Sequence, residues 1–226
     1  ISEKIIVLPL SNLNHANFLK KFSHLHEANG LRIKNIDVDG IKQVKLVNDY
    51  RWNAIRFSFK PFSIFHALDF IPENLDCLIW TDSDLRCKKN FNADNLIEFM
   101  PKDLELMSYL GRKNSYSECG FLSFNLKNEM TISYIKRMIE IYETGEIFSL
   151  EQWHDSFIWD WARKDFELNK GAKFKNISGD AYDKEHVFIN TKLGNYFDHL
   201  KGPNRKKQGQ SSEEDRLRKI SGKILL

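Results

Sequence analysis

The chain has 226 residues, enough to bury one sizeable core, and its 42% hydrophobic content is that of a globular protein. Its 34 basic and 31 acidic residues leave a formal charge of +3, too balanced to mark a nucleic-acid binder, and no apolar run is long enough to cross a membrane. Cys77, Cys87 and Cys119 fit no zinc-finger spacing and are odd in number, which with the lack of a recognisable secretory leader points to a reducing, cytoplasmic setting.

Lys4 to Leu10 predicts a buried first strand, and Ser11 to His26 a helix whose apolar face carries Leu13, Phe18, Leu19, Phe22 and Leu25. Asn29-Gly30 closes that helix, Leu31 to Val38 reads as a second strand, and Asp39-Gly40 as its turn. No Gly-x-Gly-x-x-Gly is present, which disfavours a dinucleotide site. Asp49 to Leu68 is the longest helical candidate, with Pro61 expected to break or restart it. Arg56 and Lys60, four apart, share a face there and are candidates for contacting an anionic ligand.

Asp76 to Leu85 is the stretch around which the rest is organised. Leu78, Ile79 and Trp80 form a short apolar run of the kind a strand buried on both faces shows, followed by Asp82 and Asp84 at its carboxyl end. Open α/β sheets bind ligands at that end. In an extended chain the two carboxylates point the same way and Ser83 away, so Asp82 and Asp84 offer oxygen ligands for Mn²⁺ or Mg²⁺. The plainer alternative is that they begin a turn.

Asn92 to Phe99 predicts a short helix, Leu104 to Leu110 a strand, and Glu118 to Leu126 a loop entering a strand in which Gly120 lets backbone approach a ligand. Met130 to Tyr142 is an amphipathic helix ended by Thr144-Gly145. A further helix opens near Trp153-His154-Asp155 and continues to about Phe166, and Lys173 to Ile177 is another strand. Asp198 to Lys207 holds His199, Gly202, Arg205 and Lys206, and Gln208 to Leu226 reads as a mobile polar tail with a short terminal helix.

Taken as an ordered set, these features resemble the metal-dependent nucleotide-sugar glycosyltransferases of the GT-A fold. Asp82-Ser83-Asp84 resembles their Asp-x-Asp signature, and the Gly120 segment a strand of the retaining enzymes, with Glu118 where those often have Asn. Trp153-His154-Asp155-Ser156 looks like the Trp-His-Asp-Glu-Ser run of the blood-group and α1,3-galactosyltransferase family, without its Glu. His199-x-x-Gly202-x-x-Arg205-Lys206 resembles the His-x-x-Gly-x-x-Lys element of glycogenin-like and lipopolysaccharide galactosyltransferases.

The resemblance implies an α/β, Rossmann-like fold with a mixed, mostly parallel sheet flanked by helices. One catalytic domain would span 1–202, and a basic tail over 203–226 would close on the donor. It implies Asp82, Asp84 and His199 as ligands of Mn²⁺ or Mg²⁺, and Glu118, His154 and Asp155 at the catalytic centre. Arg56, Lys60, Ser83, Gly120, Gly202, Arg205 and Lys206 would contact the donor. The activity implied is transfer of glucose or galactose from a UDP-sugar to a saccharide or other hydroxyl acceptor, with retained configuration. Two other readings remain open at this point. A haloacid dehalogenase-type phosphatase would use Asp82 and Asp84 with Gly179-Asp180 and Asp183, and a non-catalytic module would bind sugar or nucleic acid through the basic C-terminal region.

Overall fold

The computed structural model describes residues 12–72, 74–179, 186–212 and 215. The expected first strand at 4–10, Asp180 and Asp183, and the expected terminal helix lie outside them.

Helix α1 (Leu13–Phe22) starts where the Asn12 side chain accepts the His15 N–H, and it ends one turn earlier than its apolar pattern suggests. The side-chain amide of Asn29 donates to the carbonyls of Ser23 and Leu25, so the chain bends away there. Gly30, at φ 82°, then turns the backbone into β1 (Leu31–Val38). β1 pairs along its whole length with β2 (Ile41–Asn48), a strand the sequence reading passed over. Asp39 and Gly40 both have positive φ, the backbone of the two-residue hairpin turn that Asp-Gly favours. The hairpin is therefore local and antiparallel.

Helix α2 (Ala54–Ala67) is capped by Asn53 and runs on through Pro61. This corrects the expected break. Proline at 61 removes the N–H that would bond the Phe57 carbonyl, but Pro61 and Phe62 are buried, and Phe62 packs with Phe18 and Tyr142 at ring separations of 6.0 Å. Tertiary packing of that apolar face holds the helix despite the missing bond.

The remaining elements are β3 (Cys77–Thr81), β4 (Leu85–Cys87), α3 (Ala93–Ile97), β5 (Glu105–Leu110), β6 (Glu118–Asn125), α4 (Glu129–Glu143), α5 (Asp155–Lys170), β7 (Lys173–Asn176), α6 (Val187–Asn190), β8 (Phe197–His199) and α7 (Pro203–Gln208). Contacts divide the described residues into two compact units, one from 74–132 with 164–215 and the other from 12–72 with 133–163.

The first unit holds a four-stranded sheet in the order β3-β6-β5-β7, flanked by helices. β3 and β5 each pair antiparallel with β6, while β5 pairs parallel with β7. The sheet is mixed as expected, but among the described strands two of its three pairings are antiparallel. β3 also differs from expectation. Residues 77–80 are only half-buried, and β3 has one neighbour among the described strands. The strand buried on both faces is β6, all eight of whose residues are buried, because it has partners on both sides. Phe99, Leu110 and Phe121 meet Val187, Phe188, Leu193 and Phe197 in the core beside it. β4 and β8 form a separate two-stranded ladder.

The second unit contains the β1–β2 hairpin, α1 and α2, and an aromatic core. Phe18, Phe62 and Tyr142 pack together, Phe22 meets Phe148, and Phe148 meets Trp153 edge-on at 5.0 Å. Arg32 stacks on Trp153, with its guanidinium carbon 4.3 Å from the ring centre.

Candidate metal centre

The two aspartates lie on the link between β3 and β4. Asp82 donates its N–H to the Gly120 carbonyl at 3.0 Å, a last rung beyond the β3–β6 ladder, and its own carbonyl accepts the Leu85 N–H at 3.2 Å. The pair thus occupies a tight turn rather than an extended strand, and a turn of this kind is compatible with both carboxylates serving one cation. Convergence of the carboxylates comes from the turn.

Their third partner comes from far along the chain. β8 pairs with β4 in a register that sets Leu85 opposite His199, and the Leu200 N–H donates to the Asp84 carbonyl at 2.9 Å. His199 is 2% exposed, and its Nε2 lies 3.1 Å from Asp84 Oδ1 and 4.0 Å from Asp82 Oδ2. One ligand atom from each of Asp82, Asp84 and His199 falls within 4.8 Å of the others. Two carboxylate oxygens and one imidazole nitrogen are a donor set suited to Mn²⁺ and acceptable to Mg²⁺.

The surroundings orient these ligands. Trp80, two residues before Asp82, donates its indole N–H to Asp82 Oδ1 at 2.9 Å. His186 donates its Nε2–H to the His199 carbonyl at 2.9 Å, and Phe188 packs against the His199 ring. Gly120 has a packing use beside the one its sequence context implies. A Cβ there would lie 2.8 Å from His199 Cε1, so the missing side chain makes room for the imidazole.

Glu118 lies behind that ring, buried, with Oε1 3.9 Å from His199 Nδ1. Burial pushes its carboxyl up, but the charges of Lys201 and Arg112 outweigh this and hold it down at about 2. Lys201 Nζ lies 2.6 Å from Glu118 Oε2, and Arg112 bonds the same oxygen. His199 Nδ1 is buried and has no hydrogen-bond partner among the described residues. When Nε2 faces a cation with its lone pair, the ring proton moves to Nδ1, on the side of the Glu118 carboxylate. The site therefore fits a divalent cation on an internal observation, an orphaned imidazole nitrogen beside a committed carboxylate.

The cations of the C-terminal segment have distinct partners. Lys206 Nζ lies 3.0 Å from Asp84 Oδ2. Burial tends to raise the Asp84 carboxyl, yet the Lys206 hydrogen bond and the His199 and Lys206 charges bring it below the usual carboxylate range. Arg205 instead binds both carboxylate oxygens of Asp215 and the Lys201 carbonyl. Gly202, at φ 86°, makes the turn from β8 into α7, and Ser83 is exposed between the two half-buried aspartates. Beyond α7, Ser211 donates its N–H and hydroxyl to the buried Asp198, tying this stretch to β8.

Arg56, Lys60, His154 and Asp155 belong to the second unit. Lys60 and Asp155 form a close ion pair at 2.6 Å with little exposure of either side chain. Burial raises the Asp155 carboxyl and Lys60 more than reverses that, leaving it depressed. His154 caps α5, its Nδ1 accepting the Phe157 N–H at 3.3 Å while its Nε2–H donates to Gln152 Oε1 at 2.9 Å. The Arg56 guanidinium lies 5.7 Å from the Phe57 ring centre.

Lys201, Arg112 and the Trp80 indole were missed as site residues in the sequence. Only Trp80 carried a local signal, since residues two apart in a strand share a face with the aspartate that follows. The first unit is thus a mixed α/β body carrying a candidate Asp-Asp-His metal centre. No known protein family matches the sequence, and no curated protein matches it.

Proposed function

We propose that this chain is a metal-dependent glycosyltransferase of the GT-A type that passes a hexose from a UDP-linked donor to a hydroxyl acceptor with retained configuration. The observation that supports this is the meeting of Asp82 and Asp84 with His199, residues far apart in sequence that the Asp-x-Asp and His-x-x-Gly-x-x-Lys resemblances separately assign to one metal. A divalent cation held there, Mn²⁺ or Mg²⁺, offsets the charge that builds on a departing diphosphate. Asp82 and Asp84 supply charge and oxygen donors, His199 a neutral nitrogen, and Glu118 fixes the imidazole from behind. Lys206, rather than Arg205, is the cation beside the carboxylates and the one assigned to the diphosphate, since Arg205 is held by Asp215. Asp155 is assigned to the sugar by resemblance. The three free thiols fit a reducing compartment such as the cytoplasm.

The test is a screen of nucleotide sugars for hydrolysis and transfer, with Mn²⁺ and with chelator, on the wild type and Asp84→Asn. Loss of at least about 100-fold in the variant, with its fold intact by circular dichroism, is expected. Near-normal Mn²⁺-dependent turnover in Asp84→Asn rejects the reading. Metal-dependent release of phosphate from simple monoesters, with no turnover of nucleotide sugars, replaces it with the phosphatase.

A further inference from the structure

Lys206 occupies an unusual position for a residue assigned to a ligand's phosphates, because its ammonium already lies against a metal-ligand carboxylate. Nζ is 3.0 Å from Asp84 Oδ2, while Asp84 Oδ1 faces His199 Nε2. Both oxygens of Asp84 are therefore engaged by nitrogen donors of the protein itself. Asp84 is the more enclosed member of that ion pair, at 23% side-chain exposure, whereas Lys206 is 57% exposed at the end of a long flexible stem. The carboxylate stays in place and the ammonium is free to leave.

We propose that Lys206 is the resident counter-cation of Asp84, and that it is displaced when the metal enters and then meets the anion that the metal recruits. The proposal rests on the metal reading of this site and deepens it. A divalent cation and an ammonium both draw on the charge of Asp84, and like charges at that range oppose each other. Metal entry thus costs the Lys206–Asp84 attraction and adds a repulsion. A diphosphate offers the released ammonium a new carrier of negative charge, so anion binding recovers what metal binding gave up. The two ligands then bind with positive coupling, and coupling between binding sites is reciprocal. Arg205 cannot replace Lys206 in this exchange, since Asp215 and the Lys201 carbonyl hold its guanidinium.

The experiment compares the full chain with K206Q, and with K207Q as a control that removes the same charge from an exposed neighbour on the same helix. Mn²⁺ binding is measured by calorimetry without nucleotide, and UDP binding is then measured with and without saturating Mn²⁺. The expected result is roughly two- to fivefold tighter Mn²⁺ binding in K206Q, the size of a partly exposed ion pair, with K207Q unchanged. The factor by which Mn²⁺ improves UDP affinity should also shrink in K206Q. Mn²⁺ binding detectable only in K206Q supports the same conclusion more strongly. Equal or weaker Mn²⁺ affinity in K206Q, with clear binding by the wild type, overturns the counter-cation role and leaves the metal reading standing. Absence of Mn²⁺ binding by all three proteins at millimolar concentration overturns both.

Discussion

Glu118 shows how one residue's environment becomes a property of the folded protein. Its carboxyl ordinarily titrates near 4.5 and is held at about 2 in the fold, after the Lys201 and Arg112 charges outweigh its burial. A group with a depressed folded value contributes stability that is complete above its unfolded value and is lost as pH falls towards its folded value. Acidification from about pH 4.5 to about pH 2 should therefore cost the wild type on the order of 3 kcal/mol more than Glu118→Gln, as read from chemical denaturation at a series of pH values. Parallel pH curves for the two proteins would show that Glu118 is not linked to folding in this way. At the same scale, Gly120→Ala places a methyl group 2.8 Å from His199 Cε1, so the imidazole must shift from its place beside the aspartates or the strand must move. Mn²⁺ affinity should fall at least about tenfold, as when a ligand's supporting shell is disturbed, and calorimetry with unaltered affinity would contradict the packing argument. The sequence made Gly120 and His199 visible as separate motif members, but no local pattern tells that one exists to admit the other.

Among the elements, α6 and β8 matter most to the site, because β8 carries His199 and α6 carries Phe188 against its ring. The turn joining them contains Gly194, where a Cβ would lie 2.1 Å from the Ile189 carbonyl oxygen. Backbone cannot yield as the end of a flexible side chain can, so Gly194→Ala must separate the turn from α6. A loss of about 2–3 kcal/mol in a urea titration is expected, the upper range for overpacking, and an unchanged midpoint would show that the turn relaxes freely. Element boundaries show where local signals suffice. Asp39-Gly40 and Thr144-Gly145 lie where the structure turns, because glycine and aspartate act through their own backbone preferences. β2 was overlooked although an Asp-Gly turn precedes it, and α2 passes through Pro61 because its buried face packs with residues remote in sequence. Local rules are reliable where the energy is local and fail where packing outweighs it.

At the scale of the whole molecule, the three candidate ligands all fall in one compact unit, while the β1–β2 hairpin belongs to the other. A metal that binds only the folded state stabilises what holds its ligands, by about 2.7 kcal/mol at a hundredfold excess over its dissociation constant. Hydrogen exchange with and without Mn²⁺ should therefore slow most at the Leu85 and Leu200 amides, which donate to the carbonyls of Asp82 and Asp84, and least in β1 and β2. Uniform slowing across both units would show that the metal acts elsewhere or through the whole chain. By itself the sequence determined the mixed α/β character, most helices, and Asp82, Asp84 and His199 as candidates for one site, since each is written in periodicity, turn chemistry or a short motif. Only the tertiary structure decided that β6 rather than β3 is the buried strand, that Arg205 is taken by Asp215 while Lys206 faces Asp84, and that Glu118 stands behind His199. Strand order, ion-pair choice and enclosure all depend on which distant segments meet, and the free energy of those meetings is set by burial and charge in three dimensions rather than by neighbours along the chain.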